Sequence, residues 1–164
     1  MSLAYVKKIC LFGGAGFVGS SIVRLLAKRG FELKIATRSP FDEDLLELKS
    51  TVSDPGQITI EKINIHSSNQ VKNFIKDCEV CINLVGILFE KGKNTFKKVH
   101  TDFVNNLVTA IKEDKSIKHF IHFSSLGVKS DTESKYLESK YQAEQIIKKH
   151  LKNYTIIKPS IVYG

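Results

Sequence analysis

Long apolar stretches are missing from this sequence of 164 residues. A membrane-spanning helix needs roughly 20 consecutive apolar residues, and the best candidate, residues 80–89, is short and interrupted by Asn83 and Gly86. A secretory signal is not recognisable either, because only four apolar residues separate Lys8 from the first glycine. We therefore expect no transmembrane segment and a cytoplasmic or equivalent reducing location.

Cysteines are few, and their placement argues against redox chemistry. Cys78 and Cys81 form a C-x-x-C pair, but such a pair needs a helix N-terminus to lower the thiol pKa, and this one lies at the start of a predicted strand. We expect Cys10 and Cys81 to be small core residues in strands, and we predict no metal site.

Acidic residues are outnumbered, since 25 Lys and Arg against 17 Asp and Glu give a formal net charge of +8. The lysines are scattered along the chain in ones and twos, without the interleaved aromatic residues that single-strand nucleic-acid binders use for stacking. We predict no nucleic-acid partner. The positive charge is better matched to a phosphate-rich cofactor, or to an acidic protein or lipid surface.

The N-terminal part of the sequence contains a glycine-rich turn between a predicted strand, residues 8–12, and a predicted helix, residues 20–28. Gly13 permits the tight turn, Gly16 lets the backbone approach a pyrophosphate, and Gly19 lets the helix pack closely on the sheet. Such turns also occur as plain connections. Because both the strand and the helix are present here, we predict a dinucleotide-binding turn.

The start of that helix is the expected position of the cofactor phosphates. Unpaired backbone N–H groups near Phe17 and Val18, together with the helix dipole, favour negative charge at this point.

The rest of the chain alternates strands and helices with short connections. Predicted strands cover residues 31–37, 58–65, 80–88, 118–123 and 154–157, and predicted helices cover residues 41–49, 69–76, about 96–112 and 135–149. Strict alternation predicts an α/β fold, a doubly wound parallel sheet with helices on both faces, as one domain spanning residues 1–164. Cofactor and chemistry then belong at the carboxyl edge of the strands.

The second strand ends at Arg38, where an NAD-selective domain places an acid on the ribose 2′-hydroxyl. A 2′-phosphate would pair with the guanidinium, and a charge-assisted bond of roughly 1.5–3 kcal/mol corresponds to about 10- to 100-fold preference for NADP(H) over NAD(H). The alternative is a solvated surface arginine. Asn64 and Ile65, at the end of the third strand, are candidates to border the adenine ring.

Two further strand ends carry candidate site residues. Val85 and Gly86 interrupt the apolar fourth strand, and a glycine there indicates close backbone approach, here to the cofactor ribose, although a simple strand-ending turn is the alternative. Ser125 follows the fifth strand and places a hydroxyl beside the same cleft.

A Tyr-x-x-x-Lys pair, Tyr136 and Lys140, begins the last predicted helix. Residues four apart share one helix face, and a cation beside a phenol favours the phenolate that neutral-pH proton transfer requires. Ser125 would orient a substrate hydroxyl or carbonyl. Such a pair is more often a core tyrosine beside a surface lysine, but its position after the glycine turn and the Ser-Ser strand end indicates a catalytic trio.

These motifs together resemble the nucleotide-binding part of the short-chain dehydrogenases/reductases, of the extended or atypical kind. The resemblance implies an NAD(P)-binding Rossmann fold, proton transfer by Tyr136, and nicotinamide contacts from Pro159 and Ile161. The matching segments are residues 13–19, 83–86, Ser125, Tyr136 with Lys140, and residues 159–164.

Within that family, residues 80–90 and 117–127 are most similar to the accessory subunit of respiratory complex I that binds NADPH, and its bacterial relatives are often named as epimerases or dehydratases. The resemblance implies complex I subunits as partners and a peripheral location at the inner (respiratory) membrane. Extended members continue into a C-terminal substrate-binding part, so we expect a truncated domain that self-associates near residues 161–163. An oxidoreductase-like enzyme and a non-catalytic NADPH-binding subunit both remain open.

Overall fold

The computed structural model describes residues 8–39 and 57–160. Within these ranges the six strands are β1 (Lys8–Phe12), β2 (Glu32–Thr37), β3 (Ile58–Lys62), β4 (Val80–Asn83), β5 (His119–Phe123) and β6 (Tyr154–Ile157). The α-helices are α1 (Phe17–Lys28), α2 (Ser68–Ile75), α3 (Phe103–Glu113) and α4 (Lys135–His150), and a π-helix (Lys97–Asp102) leads directly into α3.

All neighbouring strands pair in parallel, in the order β3-β2-β1-β4-β5-β6. The chain builds outward from β1 in one direction through β2 and β3, and then in the other direction through β4 to β6. This order is that of the doubly wound dinucleotide-binding fold, and its reversal point lies between β1 and β4. The predicted fold class is therefore confirmed.

The two faces of the sheet are covered by different helices. Val23 and Ala27 of α1 pack with Leu11 and Ile35 on one face. On the other face, Phe12 contacts Phe74 and Phe103 edge to face, with ring centroids 4.9 and 5.2 Å apart, beside α2, α3 and α4. Because both faces of the sheet centre are buried, β1 and β4 read as nearly continuous apolar runs rather than as alternating ones.

Three predicted elements differ from the structure. The fourth strand ends at Asn83 rather than at residue 88, because the side-chain oxygen of Asn83 accepts the N–H of Val85 at 3.0 Å and the chain then leaves the sheet. The helix predicted over residues 96–112 divides into the π-helix and α3. The third strand is shorter too, since it ends at Lys62.

Three expectations fall on residues that the structure does not describe. The helix predicted over residues 41–49 lies outside the described ranges. Ile161 and the self-association predicted for residues 161–163 also lie outside them, so both remain predictions. In the part of the chain that is described, none of the helices has the length and apolarity needed to span a membrane.

Candidate functional site

The glycine turn links β1 to α1 with the geometry that the sequence predicts. Gly13 has a φ of +82°, and a Cβ atom there would lie 3.0 Å from the carbonyl carbon of Leu84, so this position requires glycine on two grounds. The N–H of Gly16 closes the turn onto the Gly13 carbonyl at 3.1 Å.

Gly16 is the N-cap of α1, and neither a side-chain cap nor an acidic residue occupies the first turn. The first N–H groups of the helix therefore meet no carboxylate from their own turn, and the positive end of the helix dipole is directed at the carboxyl edge of β1.

Gly19 has a different function from Gly16. A Cβ atom at Gly19 would overlap the carbonyl oxygen of Gly13 and the backbone of Gly14. Its missing side chain lets the first turn of α1 lie directly against the strand-to-helix connection. Gly19 is buried and makes this packing possible, whereas Gly16 is exposed.

A cavity of about 330 Å³ opens at the carboxyl ends of β2, β1 and β4. Six of the predicted cofactor-binding residues line it: Gly13, Gly16, Arg38, Ile65, Val85 and Gly86. It lies at the reversal point of the strand order, where open parallel sheets bind their ligands.

Other predicted cofactor residues lie outside this lining. Phe17 is 60% exposed. The Asn64 side chain accepts the N–H of His66 at 3.0 Å and so stabilises its own turn. The carbonyl of Pro159 accepts the N–H of Leu126 at 2.9 Å, which ties the segment after β6 to the segment after β5. Val18, Gly19, Tyr136 and Lys140 also do not line the cavity.

Several residues that line the cavity are not among the site residues predicted from the sequence. Thr37 and Ser39 flank Arg38, so the reasoning that selects Arg38 at the end of the second strand also applies to them. The sequence places Ile87 in the fourth strand, because an apolar residue that lines a cavity has the same sequence pattern as an apolar residue that faces the core. The remaining lining residues are Phe12, Ala15, Ala36, Ile63, Leu84, Asn94 and Val99.

Arg38 lies in a compact turn that directly follows β2. The Thr37 hydroxyl donates to the carbonyl of Ser39 at 3.1 Å and accepts its N–H at 3.2 Å. The Arg38 side chain is exposed and makes no hydrogen bond or ion pair with the residues described in the structure. Among the described residues, none competes with an anion for its guanidinium at the edge of the cavity.

The predicted catalytic residues lie around the end of β5. The Lys140 side chain is buried and donates from Nζ to the carbonyl of Phe123 at 3.2 Å. The Ser125 hydroxyl donates to the carbonyl of Leu126 at 3.3 Å. Tyr136 is half-buried, in the first turn of α4.

Burial changes the acidity of Lys140. Removal of the ammonium from water lowers the pKa of Lys140 to about 8, although the carboxylate of Glu144 acts in the opposite direction. Its ammonium lies close to the cavity wall, since a Cβ atom on Gly86 would be 3.4 Å from Nζ. The alternative that the sequence leaves open, a surface lysine, does not apply, because Lys140 is buried.

A buried histidine that the sequence analysis did not identify, His100, connects the cavity wall at Ile87 to Ser139 of α4. Nε2 of His100 accepts the N–H of Ile87 at 3.0 Å, and Nδ1 lies 2.9 Å from the hydroxyl of Ser139. Since Nε2 accepts, Nδ1 carries the proton and donates to Ser139. Burial and the nearby charge of Lys140 lower the pKa of His100 to about 3, so the ring is neutral at neutral pH.

A second buried histidine lies on β5. His122 is hydrogen-bonded through Nδ1 to the Asn83 amide nitrogen at 3.2 Å, and its Nε2 has no hydrogen-bond partner among the described residues. Burial, with the charge of Lys140, lowers the pKa of His122 to about 3. Asn83 thus uses one side chain to hold both the Val85 backbone and His122.

Glu144 is a buried carboxylate on α4 that lies at the ends of β5 and β6. Its side chain is 1% exposed and accepts from the Ser124 hydroxyl at 2.6 Å, from Lys158 at 2.9 Å and from Lys148 at 3.3 Å. Burial acts to raise the pKa of Glu144, but these donors outweigh it and hold the pKa below its ordinary value. The carboxylate therefore ties α4 to the ends of β5 and β6.

The cysteines lie together at the middle of β1 and the start of β4, where Cys10 pairs with Cys81. Cys10, Cys78 and Cys81 are free and fully buried. Burial raises the pKa of Cys10, and the hydrogen-bonded contact with Cys10, followed by burial, raises the pKa of Cys78. Raised pKa values keep thiols unreactive, and the prediction that Cys10 and Cys81 are core residues in strands is confirmed.

Comparison with known proteins agrees with this geometry. The mouse protein "NADH dehydrogenase (ubiquinone) 1 alpha subcomplex subunit 9, mitochondrial" is 28% identical over 154 residues, which cover 94% of this chain and 40% of the mouse protein. The protein of the same name from Dictyostelium discoideum is 27% identical, with coverage of 94% and 42%. The chain thus spans about two fifths of the length of these curated relatives, and their similarity confirms the predicted relationship to a complex I subunit.

Among solved structures, UDP-glucuronic acid 4-epimerase from Bacillus cereus, in complex with NAD, has the same fold, with a TM-score of 0.74 at 20% identity. The match covers 96% of this chain and 57% of the epimerase. A family model described as NAD(P)H-binding matches residues 13–163. This match includes the glycine turn, the cavity and the α4 residues, and the chain belongs to the NAD(P)H-binding family.

Proposed function

We propose that this NAD(P)H-binding domain prefers NADP(H) to NAD(H). The observation that carries the proposal is the position of Arg38, which directly follows β2 and lines the cavity. An NAD-selective domain places a carboxylate here to accept the ribose 2′-hydroxyl, and an arginine instead suits a 2′-phosphate. The hydroxyls of Thr37 and Ser39 add polar groups at the same end of the cavity.

Binding titrations of NADPH and NADH test this preference. We expect the unmodified protein to bind NADPH about 10- to 100-fold more tightly than NADH, since that ratio corresponds to one charge-assisted hydrogen bond. Arg38→Ala should remove most of the difference and leave the affinity for NADH nearly unchanged. Arg29→Ala is the matched control, because Arg29 is an exposed arginine at the far end of α1.

Two results would contradict the proposal. One is equal affinity of the unmodified protein for the two cofactors. The other is a preference for NADPH that survives Arg38→Ala, because another group would then bind the phosphate.

A second proposal concerns the whole protein, in which the cofactor domain has either a catalytic or a structural role. An oxidoreductase-like role is supported by Lys140, which is buried one helical turn after Tyr136 with its pKa lowered to about 8. A role as a cofactor-binding subunit of a respiratory complex, peripheral to the inner membrane, is supported by the similarity to the complex I subunits.

Tyr136→Phe separates these roles, because it keeps the ring contacts with Phe96 and His100 and deletes the hydroxyl. In an enzyme the change should abolish turnover and leave cofactor affinity nearly intact. In a subunit, assembly of the complex should survive Tyr136→Phe and fail with Gly16→Val, whose side chain would extend towards the cavity. Assembly that tolerates loss of cofactor binding would contradict the subunit role.

A further inference from the structure

We propose that His100 is a positioning residue for the nicotinamide half of the cofactor site, where it fixes the cavity wall at Ile87 to the helix that carries Tyr136. The inference rests on the proposed function, since it concerns how the same cavity holds a nicotinamide dinucleotide. His100 belongs to the π-helix between Lys97 and Asp102, and it does not itself line the cavity.

The strand order divides the cavity into two halves. Arg38 follows β2, the glycine turn follows β1, and Ile87 lies beyond the end of β4. Because β1 lies between β2 and β4, Arg38 and Ile87 lie on opposite sides of the turn. A dinucleotide whose pyrophosphate lies at the turn and whose adenosine reaches Arg38 must place its other half beside Ile87.

A continuous set of hydrogen bonds runs from that second half to α4. The N–H of Ile87 donates to His100 at 3.0 Å, His100 donates to the Ser139 hydroxyl at 2.9 Å, and Ser139 donates to the carbonyl of Tyr136 at 2.7 Å. Each donor has one acceptor, and the Ser139 hydroxyl links the His100 ring to the backbone of α4. The position of the Ile87 backbone is therefore coupled to the first turn of α4.

Ring contacts hold the imidazole in this orientation. His100 is 1% exposed and stacks on Phe96 with 5.7 Å between ring centroids and 21° between planes. The Tyr136 ring lies edge-on to it, at 5.4 Å and 85°. An imidazole confined on two sides cannot turn away from Ile87 without displacing an aromatic neighbour.

Ile87 depends on this acceptor. Because β4 ends at Asn83, Ile87 lies beyond the paired strand, and His100 supplies the acceptor for its N–H. A half-buried N–H group that loses its partner is costly, so the chain would rearrange where it lines the cavity. The π-helix fits this function, since single π-helical turns often occur beside functional sites.

The test compares two ligands that differ in which half of the cavity they occupy. NADPH reaches both halves, whereas adenosine 2′,5′-bisphosphate carries only the adenosine and its phosphates. With His100→Phe, which keeps a ring and removes both nitrogens, we expect the affinity for NADPH to fall about tenfold and that for adenosine 2′,5′-bisphosphate to stay within about twofold.

Two variants complete the experiment. His100→Gln should recover most of the NADPH affinity, because its amide oxygen can accept the Ile87 N–H as Nε2 does. His119→Phe is the control for replacing a histidine by phenylalanine, since His119 lies at the opposite, amino end of β5, where its Nε2 contacts the Thr155 hydroxyl at 2.8 Å.

The outcomes are distinguishable. Equal losses for both ligands, or no loss for either, would overturn the positioning role and leave the proposed cofactor preference standing. Failure of the unmodified protein to bind either ligand would instead overturn the proposed function, and this inference with it. If thermal melting shows that His100→Phe is unfolded, Ser139→Ala replaces it; a selective loss of NADPH affinity supports the role, and unchanged affinity overturns it.

Discussion

Gly16 and Gly19 lie three residues apart, yet a methyl group would meet different surroundings at each. At Gly16 the nearest atom to an added Cβ is the Gly13 carbonyl oxygen at 3.4 Å, which is an ordinary contact. At Gly19 an added Cβ would overlap the same oxygen. Gly16 lines the cavity, whereas Gly19 is buried against the turn. The first glycine therefore serves the ligand and the second serves packing.

The two alanine variants should separate these functions. Gly19→Ala should lower the free energy of unfolding by about 1–3 kcal/mol, the usual cost of overpacking. Gly16→Ala should change it by about 0.5 kcal/mol or less but weaken NADPH binding severalfold. Chemical denaturation and cofactor titration measure both quantities. A Gly19→Ala protein as stable as the unmodified one would contradict the packing role.

Local spacing explains which residues the sequence could predict. Gly13, Gly16 and Arg38 are recognisable because their functions depend on a strand end or turn that lies beside them in the chain. His100 is not recognisable, because its partners Ile87 and Ser139 are 13 and 39 residues away. Nothing in the residues next to His100 indicates which strand end or helix it will meet.

At the scale of elements, α4 joins two strand ends through one carboxylate. Glu144 binds Ser124 just after β5 and Lys158 just after β6, one helical turn beyond Lys140. The chain segments that follow β5 and β6 are therefore held to the helix by the same side chain.

We expect Glu144→Gln to lower the free energy of unfolding by about 2–3 kcal/mol at pH 7, because it leaves the Ser124 hydroxyl and two lysines without a carboxylate. The folded pKa of Glu144 lies below its ordinary value of 4.5, so this stabilisation is present above about pH 4.5 and is lost as the pH falls through the folded pKa. Denaturation curves at pH 7 and at pH 3–4 should show the difference shrinking. A difference that is independent of pH would contradict an ionised Glu144.

Element boundaries are less predictable than element types for a physical reason. The sequence predicts that the fourth strand continues to residue 88, because most residues after Asn83 are apolar. An apolar residue beside a cofactor cavity has the same sequence pattern as one in the core. The Asn83 side chain, which takes the Val85 N–H out of the ladder, ends the strand. This hydrogen bond, which replaces pairing with a neighbouring strand, can be recognised only in the folded structure.

At the scale of the whole molecule, the formal charge of +8 should draw anionic cofactors to the cavity. We expect NaCl to weaken NADPH binding more than NADH binding between about 50 and 500 mM, since screening acts on the larger ligand charge. In the Arg38→Ala variant the salt dependences of the two cofactors should converge. Equal salt dependence in the unmodified protein would count against a bound 2′-phosphate.

The strand order also sets how the sheet can grow while the chain is being synthesised. β1 is made first and is central, and each later strand pairs with one made earlier: β2 with β1, β3 with β2, β4 with the other side of β1, β5 with β4, and β6 with β5. Among the six described strands, none needs a partner that has yet to be translated. A chain that leaves the ribosome N-terminus first can therefore add strands in order of synthesis. All residues that line the cofactor cavity have emerged once the π-helix has, and α4, made later, then fixes the cavity wall at Ile87 through His100 and Ser139.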